Sequence, residues 1–333
     1  MVAGRKARLP GCLAGPRIEV VDENFFEQAL SLQFPPSKCG ISDIITARMS
    51  PDAITTVAVL GAGTMGNGIA HVFARAGYGV VLRDVEKRFL DRGLETIGKN
   101  LDREVKKEKI TTADKSATLA RIQPTTDMTA LAAADFAVEA VPEQLDLKVR
   151  VLKEADAALR PGVILASNTS SISISQLAAE TSRPEKFIGM HFFNPVPMMA
   201  LVEVVRGHAT SDATFATTMS LCEKLGKNPV GVNDAPGFVS NRVLMPMINE
   251  AAFAVMQGVA TPEAVDAVMK LGMNHPMGPL ELADLIGLDV CVDILDVLHK
   301  GFSDPKYSAC PLLRQHVAAG RLGRKSGRGF YEY

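Results

Sequence analysis

Two residues in the middle of the chain carry chemistry by type and spacing. His191 ends the apolar run Phe187–His191 and is followed by Phe192-Phe193-Asn194-Pro195-Val196-Pro197, where two prolines enforce a turn. A histidine at a strand end offers a ring nitrogen whose unperturbed pKa of about 6.5 lets it take and return a proton near neutrality. Such a base needs an orienting partner on its other nitrogen. Glu203, inside Leu201-Val202-Glu203-Val204-Val205, is the candidate, because a carboxylate in so apolar a run is costly unless paired. A sheet-edge glutamate facing water is the alternative that the pattern leaves open.

A second constellation lies upstream. Gly61-Ala62-Gly63-Thr64-Met65-Gly66 follows the β-branched and apolar run Thr55–Leu60 and opens a helix in which Met65, Ile69, Val72, Phe73 and Ala76 recur at helical spacing. Gly61 permits the tight turn, Gly63 lets the backbone approach a pyrophosphate, and Gly66 lets helix and strand pack closely. Free N–H groups at the helix start complete an anion site. A lone glycine loop is a weak signal. Here Val80–Leu82 restarts a strand and Asp84 ends it, about 20 residues after the loop, where an acceptor for a ribose 2′-hydroxyl belongs. A carboxylate there repels a 2′-phosphate, so NAD is expected over NADP. Arg83 could accommodate that phosphate, but a solvated strand-end charge is the preferred reading. Alcohol oxidation joins the two constellations: the histidine takes the hydroxyl proton as hydride leaves for the nicotinamide. A third cluster, Ser167-Asn168-Thr169-Ser170-Ser171, follows another strand and reads equally as a ligand edge or a polar turn.

The elements that must position these residues follow from periodicity. A polar, lysine-rich helical stretch runs over Lys87–Lys109, and strand-like segments lie at Phe136–Val141, Val163–Ala166, Phe187–His191, Leu201–Val205 and Pro229–Val232. Strands alternating with helices predict an α/β chain with a Rossmann-type doubly wound sheet over 54–233. After Pro236 the pattern is helical: Val239–Gln257 closed by Gly258, Glu263–Leu271 opened by Thr261-Pro262, and one stretch over Pro279–Lys300. This predicts an all-α C-terminal domain over 237–333, apolar enough to serve substrate binding and dimerisation. Residues 1–53, with Arg5, Lys6, Arg8 and Arg17 ahead of any acid, read as a disordered extension, an over-long start, or a poor match to a transit peptide.

Composition narrows the classes. The chain has 333 residues, 22% of them charged, and a formal net charge of -1, so neither nucleic acid nor an anionic membrane is an expected partner. Cys12, Cys39, Cys222, Cys291 and Cys310 are scattered without a C-x-x-C pair, which argues against a disulfide framework or metal site and for reduced thiols in the cytoplasm. No apolar run approaches the roughly 20 residues of a membrane span.

Taken together, the Gly61–Gly66 loop, Val138-Glu139-Ala140-Val141-Pro142-Glu143, Ser167–Ser171, His191–Pro195, Leu201–Val205, Pro236-Gly237-Phe238-Val239-Ser240-Asn241-Arg242, Gly278-Pro279 and the ending Gly327–Tyr331 resemble, in order and spacing, the L-3-hydroxyacyl-CoA dehydrogenase family, and most its short-chain 3-hydroxybutyryl-CoA members. The resemblance covers about residues 55–333. It implies that His191 is the catalytic base and Glu203 its partner, and that Ser170 and Asn241 hold the reacting oxygen and help bind the substrate. Glu143 and Lys148 would lie near the nicotinamide ribose, Asn168, Thr64 and Met65 on the cofactor side, and Asn194 near the substrate. It also implies a homodimer and an acyl-CoA substrate, whose anionic end would meet Lys99, Arg103, Lys106, Lys107 or Lys109, with Lys106 and Lys107 foremost. Met198, Met199, Met245 and Met247 are candidates for an adaptable acyl pocket, though methionine is as readily core filler. Another Rossmann-plus-helical 3-hydroxyacid dehydrogenase, which usually relies on a lysine base, and a non-catalytic relative remain as alternatives.

Overall fold

The computed structural model describes residues 53–333. The expectations for the N-terminal segment concern residues outside that range. Strand β1 (Thr56–Leu60) is buried from its second residue onward and leads through the glycine loop into helix α1 (Thr64–Arg75). Then follow β2 (Gly79–Arg83), α2 (Lys87–Lys106), α3 (Thr112–Ala120), β3 (Ile122–Thr125), β4 (Phe136–Glu139), α4 (Leu145–Ala158), β5 (Ile164–Ser167), α5 (Ile174–Ala179), β6 (Phe187–Phe192), β7 (Leu201–Arg206), α6 (Asp212–Lys224) and β8 (Asn228–Asn233). The eight strands form one sheet in the order β3-β2-β1-β4-β5-β6-β7-β8, parallel except between β6 and β7.

Alternation along the strands explains the two covered faces. Val57 and Val59 point into one core with Ile69 and Phe73 of α1, Leu90, Ile97 and Leu101 of α2, and Leu221 of α6. Ala58 and Leu60 point into the other, with Val151 and Leu152 of α4 and Leu177 of α5. A parallel sheet covered on both faces needs such continuously apolar strands. The chain winds outward from β1 through β2 and β3 on one side and from β4 through β6 on the other. The carboxyl ends of β1 and β4 therefore flank a switch point, the place where open sheets of this kind bind ligands.

β3 went unread in the sequence. Its residues, Ile122-Gln123-Pro124-Thr125, offer little apolar alternation, and a proline is tolerated there because the strand is the sheet's edge. The C-terminal part comprises α7 (Ser240–Met256), α8 (Pro262–Gly272), α9 (Pro279–Ile286), α10 (Leu288–Phe302) and α11 (Pro311–Ala318), packed around a core of Ile248, Leu280, Leu295 and Leu313. Thr261 caps α8 as expected, its side chain accepting from Ala264 N–H at 3.3 Å. The single stretch expected over Pro279–Lys300 is instead two helices. Gly287, at φ 106°, breaks it with a conformation that residues bearing a Cβ rarely adopt, while the apolar spacing continues across the break and hides it.

The turn from β1 into α1 tolerates nothing larger at Gly66, where an added Cβ would sit 1.8 Å from the Gly61 carbonyl oxygen. Gly66→Ala should therefore cost about 3 kcal/mol or more. Gly98→Ala, on α2 where an added Cβ meets nothing within 4 Å, should instead gain roughly 0.5–1 kcal/mol from helix propensity. Urea midpoints of the two variants against wild type check both signs.

Candidate active site

His191 and Glu203 are brought together by strand register. β6 and β7 are the antiparallel pair of the sheet, and His191 and Glu203 are directly opposed across it. Their side chains meet at 2.8 Å, Nδ1 to Oε2, with both residues buried. Glu203 is buried by its strand neighbours and is satisfied from a different part of the chain. Its Oε1 accepts the backbone N–H groups of Val239 (3.2 Å) and Ser240 (2.9 Å), and its Oε2 accepts the Ser240 hydroxyl (2.8 Å). The carboxylate thus sits at the N-terminus of α7, where negative charge is favoured. Burial pushes the Glu203 pKa up, but the hydrogen bonds from His191 and Ser240 outweigh it and hold the carboxyl below the ordinary carboxylate value. An ionised Glu203 accepts and does not donate, so the proton of the shared bond belongs to His191 Nδ1. The lone pair is thereby left on Nε2, the nitrogen available to take a proton from a ligand. Phe193 and Phe238 flank the imidazole at 4.6 and 5.9 Å between ring centroids.

The serine-rich cluster forms the neighbouring wall. The Asn168 side-chain oxygen accepts from Phe192 N–H at 2.9 Å, locking the end of β5 to the end of β6. Glu143 Oε1 gathers the loop after Asn168: it accepts from the Thr169 hydroxyl (2.5 Å), the Ser170 and Ser171 N–H groups (2.9 and 3.0 Å) and the Ser171 hydroxyl (3.0 Å). Asn241 Nδ2 reaches from α7 to the Ser170 carbonyl at 3.0 Å. Ser170 Oγ lies 3.4 Å from Glu143, the loosest of these contacts, so its hydroxyl can turn to a ligand at little cost. Lys148, 1% exposed, donates to Glu139 Oε1 at 2.8 Å and lies 3.3 Å from Glu143. Ser167 Oγ donates to the other Glu139 oxygen at 2.5 Å. Burial raises the Glu143 pKa, while the Lys148 charge and the hydroxyl and N–H donors of the loop lower it further than burial raises it.

The glycine loop forms the far end of the same cleft. α1 begins at Gly63 without a side-chain cap, leaving its first N–H groups to a ligand, and a Cβ at Gly63 would meet no protein atom within 4 Å. Asp84 accepts from the N–H groups of Ala62 and Val85, both at 2.6 Å, which fixes its carboxylate beside the loop. A carboxylate has about four lone-pair directions, so acceptor capacity remains for a ribose hydroxyl. These features fit a dinucleotide. Arg83, half-buried, lines the cleft beside Asp84, with its Nε buried and unpaired.

The cleft has a volume of about 1500 Å³, larger than the roughly 300–1,000 Å³ that suits a drug-sized molecule. It holds Gly61, Gly63, Thr64, Met65, Asp84, Glu143, Lys148, Asn168, Ser170, His191, Asn194 and Asn241 along its walls. Gly66 packs behind it, and Glu203 stands behind His191. Lys106 and Lys107 do not line it; both are exposed where α2 ends, and the residues of α2 on the cleft are Phe89, Arg92, Gly93 and Thr96. Of the four methionines considered, Met199 and Met245 line the cleft and Met198 and Met247 do not. Ser240 was not singled out in the sequence as a partner of Glu203. Its position beside Asn241 at a helix start, with a hydroxyl fit to bond a carboxylate, was the available signal.

Comparison with known proteins decides the family. Residues 56–235 match the family model described as 3-hydroxyacyl-CoA dehydrogenase, NAD binding domain, and residues 237–333 match that of its C-terminal domain. The chain belongs to the 3-hydroxyacyl-CoA dehydrogenase family. A probable 3-hydroxybutyryl-CoA dehydrogenase of Deinococcus radiodurans is 56% identical over 275 residues, covering 83% of this chain and 99% of the relative. The 3-hydroxybutyryl-CoA dehydrogenase of Bradyrhizobium diazoefficiens is 53% identical over 280 residues, 84% of this chain and 96% of the relative. Among solved structures, (S)-3-hydroxybutyryl-CoA dehydrogenase from Ralstonia eutropha matches with a TM-score of 0.83 and 54% identity, over 84% of this chain and 99% of that one. The dehydrogenase is an NAD enzyme, in keeping with Asp84 at the end of β2.

Two predictions follow from these contacts. Asp84→Ser should lower kcat/KM with NADH by about tenfold or more while raising it with NADPH, because the ribose acceptor and the repulsion of a 2′-phosphate go together; parallel assays with the two cofactors check it. Glu203 ionises more easily folded than unfolded. Its stabilisation is therefore complete above the ordinary value of 4.5 and is lost as pH falls through the lowered folded value. The stability gap between wild type and Glu203→Gln, read from denaturation midpoints, should be flat at neutral pH and narrow on acidification below 4.5.

Proposed function

We propose that the dehydrogenase oxidises the 3-hydroxyl of a short (S)-3-hydroxyacyl-CoA, 3-hydroxybutyryl-CoA in the first place, to the 3-ketoacyl-CoA, and runs the reverse reaction with the same groups. The observation that carries this reading is a histidine with one nitrogen held by a buried carboxylate, set in one cleft between a dinucleotide loop and an apolar wall. That wall is formed by Leu244 and Met245 of α7, Leu282 and Ile286 of α9, and Val290 and Ile294 of α10. It suits a short acyl chain, and the curated relatives' names point to the four-carbon substrate.

His191 Nε2 takes the hydroxyl proton as C3 loses hydride and the C–O bond becomes C=O. NAD+, when bound at the glycine loop and Asp84, supplies the hydride acceptor. Glu203 stays ionised and stabilises the imidazolium that forms, so the charge developed in the step meets a partner already in place. In this reading Ser170 Oγ and the second amide hydrogen of Asn241 hold the reacting oxygen and Asn194 contacts the acyl portion, which their shared place on the cleft supports. Holding the carbinol against His191 makes the encounter effectively unimolecular, a large part of the rate gain. In the reverse direction His191 returns the proton to the ketone oxygen. Lys106 and Lys107, beyond the cleft, are reserved for the anionic end of CoA.

The same reading extends to the setting. Val268 and Leu271 of α8, with Val243 of α7, are exposed apolar residues, and they suit a homodimer built on the helical domain. No helix among the described residues is long and apolar enough to cross a membrane. A cytoplasmic role in fatty-acid or butanoate metabolism fits the substrate.

The test is NADH absorbance with acetoacetyl-CoA. Wild type should oxidise NADH rapidly and discriminate against NADPH, and His191→Ala should lower kcat by about 10²- to 10⁴-fold, the usual contribution of a positioned general base. A wild type inactive on acetoacetyl-CoA and on longer 3-ketoacyl-CoAs would refute the substrate assignment and leave the fold untouched.

A further inference from the structure

The turn after His191, residues 193–200, gives Phe193, Asn194, Pro195 and Met199 to the cleft and belongs to no helix or strand. Its own backbone bonds are two, Met198 and Met199 N–H to the Pro195 carbonyl at 2.9 and 3.0 Å. It is fixed from outside the cleft on two flanks. On one, α1 approaches so closely at Gly68 that an added Cβ would lie 2.8 Å from Val196 Cβ. On the other stands Lys227, the residue immediately before β8. Its ammonium donates to the Val196 carbonyl at 2.6 Å and to the Met199 carbonyl at 2.7 Å, and the residue is 7% exposed. A buried ammonium is costly, and burial lowers the Lys227 pKa accordingly. An apolar side chain of the same length would avoid that cost but would leave two carbonyl oxygens without their donor. The two bonds therefore span the turn between Val196 and Met199, directly behind the residues facing the ligand.

We propose that Lys227 is a positioning residue of the acyl site: it clamps the 196–199 turn so that Asn194 and Met199 keep their places opposite His191. This rests on the acyl-CoA reading above. Lys227 touches neither the glycine loop nor Asp84 through these bonds, so its loss should act on the acyl substrate and spare the cofactor. His191 remains held by Glu203 when the turn loosens, so the effect should fall more on KM than on kcat.

The experiment compares wild type, Lys227→Met, which keeps the stem and loses the donors, and Lys227→Arg, which keeps donors and charge. With acetoacetyl-CoA, Lys227→Met should raise KM by about 10- to 100-fold, as displaced substrate-positioning groups do, with a smaller fall in kcat and an NADH Kd within about 2-fold of wild type. Lys227→Arg should recover most of the loss. Should Lys227→Met not fold, Gly68→Ala presses on Val196 from the opposite flank and should raise the same KM with Lys227 intact. Amide exchange over residues 196–200, which needs no turnover, should quicken in either variant. Unchanged KM and unchanged exchange, or equal losses of acyl and NADH binding, would overturn the proposal. A wild type without turnover would overturn the substrate reading alone, since the exchange measurement still decides the clamp.

Discussion

The Glu203 carboxylate is the interaction on which the rest depends. It is buried in the middle of β7, where an unpaired charge would cost several kcal/mol. Each of its oxygens is instead committed: one to His191 and the Ser240 hydroxyl, the other to the N–H groups that open α7. One group therefore sets the tautomer of the histidine and ties the first helix of the C-terminal domain to the sheet. Misplacing that helix would disturb the base, and neutralising the carboxylate would loosen the helix. The chemistry and the join between the two parts of the chain share one set of hydrogen bonds.

The sheet makes this arrangement possible through one irregularity. From β1 to β6 every pairing is parallel, which puts the glycine loop, Asp84, Glu143, the serine cluster and His191 at strand carboxyl ends along one edge. A further parallel strand would have delivered its residues to the same edge only after another crossover. By turning back antiparallel, β7 lays Glu203 directly opposite His191 within 12 residues of chain. The turn that allows the reversal is the one carrying Asn194 and Met199 into the cleft, so the return of the chain and one stretch of the cleft's lining are the same piece of structure.

Much of this was legible in the residues. The glycine loop followed by Asp84 announced the first βαβ unit, and a glutamate inside Leu201–Val205 stood out because a charge in an apolar strand needs a partner. What stayed hidden depends on contacts distant in sequence. Glu139 sits in a quoted motif, but nothing local shows that it is wholly buried beneath Lys148 and Ser167. Lys227, in Leu225-Gly226-Lys227, looks like an ordinary turn lysine, and only packing reveals the carbonyls that it meets. The basic cluster of α2 was conspicuous in sequence, but its place along the helix was not: Lys106 and Lys107 lie outside the cleft where α2 ends, while Arg92 and Thr96, in the first half of the same helix, line it. Charge density alone does not show which turn of a helix meets a cleft; position along the helix and its packing decide it.

The carboxylates of the cleft also support the proposal that His191 is the group that moves the proton. Glu143 has one oxygen engaged by the Thr169–Ser171 loop and the other facing Lys148, and its pKa is held down by those partners. A carboxylate so stabilised in its ionised form is a poor proton acceptor at neutral pH. Lys148 is committed to Glu139 and to the Val141 carbonyl, so it offers no free amine of the kind that other hydroxyacid dehydrogenases use. His191 differs in being half engaged: Nδ1 is held by Glu203 and Nε2 is left over. Glu143 and Lys148 are thus closed off as competing bases while Glu203 supports that one nitrogen, which is why the geometry favours a histidine-based alcohol oxidation over the lysine-based alternative.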